Sequence, residues 1–160
     1  MSFYVWLLPI IFIFHDMEEI IGFIPWLNSN KEWLEKKYSK FVKPYNGVTT
    51  ERFAMAVFEQ FFLAILICII SYVTDFYGIW IGAFVGMSIH FVIHIVESVV
   101  IRKYIPALIT SIICIPVSCI VIGKSVEMAS YSMWEMVLYS VVGSSLIAVN
   151  LKIAHGLMRR

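Results

Sequence analysis

Apolar residues occupy most of this chain in long stretches, separated by short polar segments. The first stretch runs from about Phe3 to Leu27. The others run from about 53 to 74, 77 to 101, 104 to 122 and 133 to 155. A helix needs about 20 predominantly apolar residues to cross a bilayer. The pattern therefore predicts an all-α integral membrane bundle of about five transmembrane helices, forming one domain over residues 1–160. The first polar connection has a period of its own. Trp33, Leu34, Lys37, Tyr38 and Phe41 recur at helical spacing, with Lys31, Lys36, Lys40 and Lys43 between them. That spacing predicts a short amphipathic helix lying at the membrane surface. Ser29 or Asn30 is placed to cap it, and Thr49 or Thr50 to cap the second span. Pro44 and Asn46-Gly47 turn the chain between the two.

Composition agrees with the pattern. The chain is 61% hydrophobic and 14% charged, against roughly 45–50% and 25% for a soluble domain. Its net charge of +1 offers no basis for nucleic-acid binding. Cys68, Cys114 and Cys119 lie in apolar runs without metal-finger spacing or a disulfide framework. The N-terminal stretch lacks a basic leader and ends in acidic residues, so it is read as a mature helix rather than a signal peptide. Lys and Arg crowd the first connection, recur as Arg102-Lys103 in the third, and end the chain as Arg159-Arg160; the second connection has none. The positive-inside rule then places the N-terminus outside and the C-terminus in the cytoplasm.

Against this background the ionisable residues inside the spans are conspicuous. His15, Asp16, Glu18 and Glu19 interrupt the first stretch, Glu59 the second, and His90, His94 and Glu97 the third. Asn150, Lys152 and His155 sit late in the fifth. A charge at the centre of a membrane helix costs about 2.5–3.5 kcal/mol on insertion scales. Several together require mutual pairing, protonation or a bound ion. At ~1.5 Å per residue, separate helices bring these groups to similar depth in the cytoplasmic half. His15, Glu18 and Glu19 stand at i, i+3 and i+4, which is one side of a helix. His90, His94 and Glu97 form a narrow stripe, continued by Gly82 and Gly86 as a GxxxG. Small residues let helices approach closely in lipid. Ser140, Ser144 and Ala148 make a similar strip on the last helix. Asp16 is expected to face elsewhere, and Lys152 to snorkel to the interface.

Imidazole with carboxylate suits zinc, iron or manganese. The candidate ligands are His15, Glu19, Glu59, His90, His94 and Glu97, with Asn150 as a hydrogen-bond partner behind them. Di-metal bundles take a Glu from each of two helices and Glu-x-x-His from two others. Here the order is reversed, as His15/Glu18 and His94/Glu97. In a mononuclear alternative, His15 and Glu19 bind one ion and Glu18 is the general base, as in zinc proteases whose inner Glu lies between two ligands. A metal-free proton path or a polar network fixing helix register is the competing account of the same residues.

His15-Asp16-Met17-Glu18-Glu19 at the end of an apolar N-terminal stretch resembles the bacterial membrane-protein family named for its HxxEE motif. His90, His94, Arg102-Lys103-Tyr104-Ile105-Pro106 and Thr110 are similar too. The family has Gly after that proline, where this chain has Ala107. The resemblance implies a bacterial inner-membrane location and makes one unit of His15, Glu18 and Glu19. It supplies no reaction.

The leading expectation is a membrane-embedded metal-dependent enzyme with one or two zinc or iron ions. It would hydrolyse an amphiphilic or lipid-like substrate reached from the cytoplasmic leaflet, with oxidative di-iron chemistry as the second choice. There are too few histidines for a histidine-box desaturase, and no Ser-His-Asp or phosphate loop competes. A proton- or metal-ion-coupled transporter is the first alternative. It lacks the repeated halves and Gly/Pro-broken helix pair that usually mark carriers, although a homodimer would supply symmetry. A non-catalytic membrane partner subunit is the second.

Overall fold

A computed structural model describes residues 1–158; Arg159-Arg160, used above for the orientation, lie outside the described residues. These residues fold into six α-helices: α1 (Leu7–Ser29), α2 (Lys31–Val42), α3 (Thr50–Thr74), α4 (Gly78–Ile101), α5 (Leu108–Ala129) and α6 (Met133–Met158). Each predicted stretch is a helix, with ends shifted by a few residues. α3, α4, α5 and α6 are long and apolar enough to cross a membrane. α1 has the length, with 23 residues, but carries Asp16, Glu18 and Glu19. The chain is thus an all-helical membrane protein with four candidate spanning helices and a fifth long helix bearing the acidic cluster.

The ends of the helices follow local chemistry. Thr49 caps α3, its hydroxyl accepting from the Arg52 N–H at 3.4 Å. Asn30 precedes α2 but spends its side chain elsewhere: its amide donates to the Trp26 carbonyl, and its oxygen accepts from Lys103 Nζ at 2.9 Å. The amphipathic α2 is docked on the end of α4. The Tyr38 hydroxyl donates to the Val100 carbonyl, and the Lys103 ammonium sits 4.3 Å from the Trp33 ring centre. At the other end of the bundle the Val5 carbonyl accepts from both Trp80 Nε1 and Cys68 Sγ, tying the N-terminus to α4 and α3.

α4 is the central helix and packs most extensively on α6 and α5. Its contact with α6 is backbone on backbone. A Cβ on Gly82 would lie 1.9 Å from the Tyr139 carbonyl oxygen, and one on Gly143 would lie 2.1 Å from the Gly82 carbonyl carbon. Ser144 faces Gly86 one turn further on. The GxxxG strip of α4 therefore meets α6 at Gly143 and Ser144, while Ala148 of the expected α6 strip is exposed, and this contact fixes the face of α4 that carries the histidines.

The α4–α5 connection is tight and docks on α1. Arg102 ends α4 in the left-handed region, with the Lys103 N–H returning to the Ser98 carbonyl and the Arg102 N–H to Val99. Ala107 starts α5 at φ 96°, a conformation that a Cβ disfavours by about 1–2 kcal/mol. Pro106 is pressed against Gly22 of α1, 2.7 Å from where a Cβ there would stand.

Three outcomes follow from this packing. Gly82→Leu is expected to lower the thermal unfolding midpoint sharply, because only backbone can give way. Gly123→Ala, with nothing within 4 Å, should leave it unchanged or raise stability by about 0.5–1 kcal/mol. Ala107→Gly should relieve the turn and stabilise by up to about 1 kcal/mol, read in the same melts as a higher midpoint.

Candidate metal centre

α1 and α4 face each other where their histidines fall. His15 is fully buried, and Glu19 and His94 nearly so. One atom each from His15, Glu19, His90 and His94 lies within 4.8 Å of the others. His94 Nε2 is 2.9 Å from His90 Nε2 and 3.2 Å from Glu19 Oε1. Donors at about 2.0–2.1 Å from a tetrahedral zinc stand about 3.3 Å apart; these two separations match that spacing, and the full set, spread over 4.8 Å, would draw together around an ion. Hydrogen bonding alone serves the cluster poorly. One proton on His94 Nε2 can point at His90 or at Glu19 but not along both lines, and His15 Nε2 is buried without a partner. The set fits a borderline transition metal such as zinc or iron.

The atoms behind the four are also arranged. His15 Nδ1 lies 3.1 Å from the Thr110 hydroxyl, which donates to Glu18 Oε2 at 2.6 Å. A hydroxyl whose proton goes to a carboxylate can only accept from His15, so Nδ1 carries the proton and Nε2 offers its lone pair to the centre. Glu97 Oε2 stands 3.6 Å from His94 Nδ1, at ion-pair rather than hydrogen-bond distance. Metal-bound histidines commonly present their second nitrogen to such groups.

Glu18 does not occupy the position expected of a general base. Its carboxylate accepts from the Thr110 N–H at 2.8 Å, the Thr110 hydroxyl and the Tyr104 hydroxyl at 2.6 Å. Those donors belong to the first turn of α5 and the turn before it, where free N–H groups and the helix dipole favour a negative charge. Partial burial and the bond to Glu18 push the Tyr104 phenol up to about 12, so it remains a donor at any ordinary pH. The two segments of the family resemblance are thus in contact: Glu18 with Tyr104 and Thr110, and Gly22 with Pro106.

Glu59 also lies apart from the four. Its Oε1 accepts from Asn150 Nδ2 at 2.7 Å, joining α3 to α6, so Asn150 serves Glu59 rather than a ligand. Its neighbour Gln60 lines both of the cavities that His90 lines. Asp16, expected to face elsewhere, is buried beside Glu19, with Oδ2 unpartnered. A three-residue step puts Asp16 and Glu19 on one side of α1, a signal that the sequence offered. Thr110, which the sequence marks only through the resemblance, and Tyr45 are the other residues at the site. Tyr45 lines the cavity from the connection after α2, and burial, with Glu19 and Glu97 nearby, raises its phenol above its ordinary range.

Two cavities adjoin the centre. One, of about 130 Å³, contains Asp16, Glu19, His94, Glu97 and His155, with Tyr45 at its end. The other, of about 240 Å³, is walled chiefly by Leu8, Phe12, Ala64, Met87, Ile147 and Ala148. They share Gln60, His90, Ile93 and Leu151.

The family described as "Protein of unknown function with HXXEE motif" matches residues 6–121, and the chain belongs to it. The match takes in all four clustered residues together with Glu18, Tyr104 and Thr110, and stops short of α6. No curated protein and no solved structure matches.

The hydrogen-bond chain behind His15 predicts its tautomer. Nitrogen NMR of the metal-free protein should report a proton on His15 Nδ1. Thr110→Val should redistribute it between the two nitrogens, and Thr110→Ser should restore it. An Nε2 proton in the wild type would contradict the assignment.

Proposed function

We propose that this member of the HXXEE family is a membrane-embedded, metal-dependent enzyme, most simply a hydrolase of an amphiphilic or lipid-like molecule. The observation that carries the reading is the convergence of His15, Glu19, His90 and His94 to within 4.8 Å, with the His15 lone pair unpartnered. Zinc or iron is the expected ion. Bound there, it would acidify a water or polarise an ester or amide carbonyl.

The protein's own groups divide the remaining work. Glu18 and Thr110 hold His15 in the orientation that binds. Asp16 is the proposed proton acceptor: its carboxyl is buried in the polar cavity and hydrogen-bonded with that of Glu19, and its Oδ2 is left without another partner. General-base catalysis of this kind contributes about 10²–10⁴-fold. Glu97, partly exposed at the same cavity and near His94 Nδ1, steadies that imidazole. Apolar helices around the cavity keep bulk water away.

A carrier of ions or protons would need a polar route through the bundle. The cavity on the far side of His90 is walled mainly by Leu, Ile, Phe, Met and Ala, which suits an acyl chain better than an ion. In this reading α1 is the fifth span, the lysine-rich α2 side is cytoplasmic by the positive-inside rule, and the reaction takes place in the cytoplasmic leaflet of the bacterial inner membrane.

Metal content tests the reading first. Protein purified in detergent without an affinity-metal step should carry about one zinc or iron per chain by mass spectrometry. His15→Ala and His94→Ala should lose it, with affinities reduced beyond the roughly 10–100-fold that an outer partner costs. Asp16→Asn should keep the metal and lose about 10²–10⁴-fold in turnover of a neutral decanoyl ester. Glu18→Gln should instead lower metal affinity by about 10–100-fold. Folded wild-type protein that neither carries nor acquires zinc, iron or manganese would overturn the proposal.

A further inference from the structure

The two cavities are stacked along the bundle axis in a consistent order. On α1 the apolar chamber is lined by Leu8 and Phe12 and the polar one by Asp16, Glu19 and Phe23. On α4 the sequence runs from Gly86 and Met87, through the shared His90 and Ile93, to His94 and Glu97. On α6 it runs from Ser144, through Leu151, to His155. α3 reads in reverse, from Ala64 through Gln60 to Phe53, as an antiparallel neighbour must. All four helices therefore give the same order: apolar chamber, junction at Gln60 and His90, polar chamber, then the end covered by Tyr45. The apolar part extends from the level of His15 to that of Leu8, ~10 Å along α1.

We infer that the stacked chambers form a single seat for a one-chain amphiphile with a neutral or cationic head group, its chain among Leu8, Ala64, Met87 and Ile147 and its head at the His/Glu cluster. The inference rests on the reading of that cluster as the reactive site and names the substrate class it takes. The length and lining of the apolar chamber select one acyl or alkyl chain. The polar chamber selects the head. Asp16, Glu19 and Glu97 line it, and among the described residues no Lys or Arg does. An anionic head group would meet those carboxylates with like charge, the arrangement that rejects wrong partners. A hydroxyl, amide, ester or ammonium would find acceptors instead. The head lies on the side of the bundle that carries α2 and its lysines, the arrangement of a lipid with its head at that surface and its chain toward the membrane centre. Ile89 and Ile93, each about half exposed, stand on the wall of the apolar chamber between α4 and lipid, which is the lateral way in.

The test uses the full-length protein stripped of metal with a chelator, so that binding is judged apart from metal chemistry. Decanoylglycerol, decylamine and decanoate share one chain and differ in head charge. Their binding in neutral micelles is measured by native mass spectrometry, with metal content determined separately on the untreated protein. Ala148→Phe places a ring at the chamber wall from an exposed position on α6, its fold is checked by thermal melt, and it also corrects for partition into the micelle. Decanoylglycerol and decylamine should bind the wild type and lose about tenfold or more in Ala148→Phe. Decanoate should bind at least about tenfold more weakly than decanoylglycerol, and Glu97→Gln should narrow that gap. Equal binding of all three probes, or unchanged binding in folded Ala148→Phe, would overturn the inference. Saturable binding in a protein that proves unable to hold metal would leave the seat standing and remove the enzyme.

Discussion

Imidazole and carboxylate groups inside an apolar bundle must find their partners in one another, because no water is at hand to serve them. The meeting of α1 and α4 at His15, Glu19, His90 and His94 is where this constraint is concentrated. It explains why the close approach of α4 to α6 through Gly82 and Gly143 matters to a site that neither glycine touches. That contact fixes the rotation of α4 about its own axis, and a rotation of one residue, about 100°, would turn His90 and His94 away from α1. The turn between α4 and α5 applies the same constraint to α1 from the other side, through Glu18 and Pro106.

The two glutamates of the motif illustrate how neighbouring residues acquire different tasks. Glu19 points at the histidines of α4, and Glu18, one residue back, points at the start of α5. A carboxylate at a helix N-terminus satisfies N–H groups that would otherwise be buried unpaired. Here it also receives the Thr110 proton and so sets the orientation of His15. One side chain thus joins the packing of a helix to the chemistry of the centre. Its removal is expected to disturb both, so a loss of function on its own would not identify a proton acceptor.

Most of the helical layout was legible in the sequence, because long apolar runs and their polar breaks are strong signals. The stripe His90, His94, Glu97 was legible for the same reason, since a narrow helical face follows from spacing alone. What spacing does not carry is rotation between helices. α3 is turned so that Glu59 meets Asn150 on α6 while Gln60 lines the cavities beside His90. The role of Glu18 was hidden for a related reason. Its partners, Tyr104 and Thr110, come from a turn about ninety residues away in sequence, and no local pattern announces that contact. The proline-to-Ala107 step was an available hint. The glycine that the resemblance led one to expect there suits a backbone with positive φ, and Ala107 takes φ 96°.

The acidic character of the polar chamber bears on both the metal and the substrate. A divalent ion held by Glu19 and three neutral imidazoles would carry net positive charge, which Asp16 and Glu97 nearby can balance. Such a centre has little need of an anionic ligand for charge neutrality, and its surroundings disfavour one. In the proposed reading, the apolar chamber beyond His90 would supply binding energy from a part of the substrate that does not react, which can be spent on positioning the part that does. The proposed seat, its head-group selection and the convergence of groups from α1 and α4 all trace to the same placement. Polar residues are concentrated toward one end of the bundle, where they must serve one another, and the space at the other end is left to hydrocarbon.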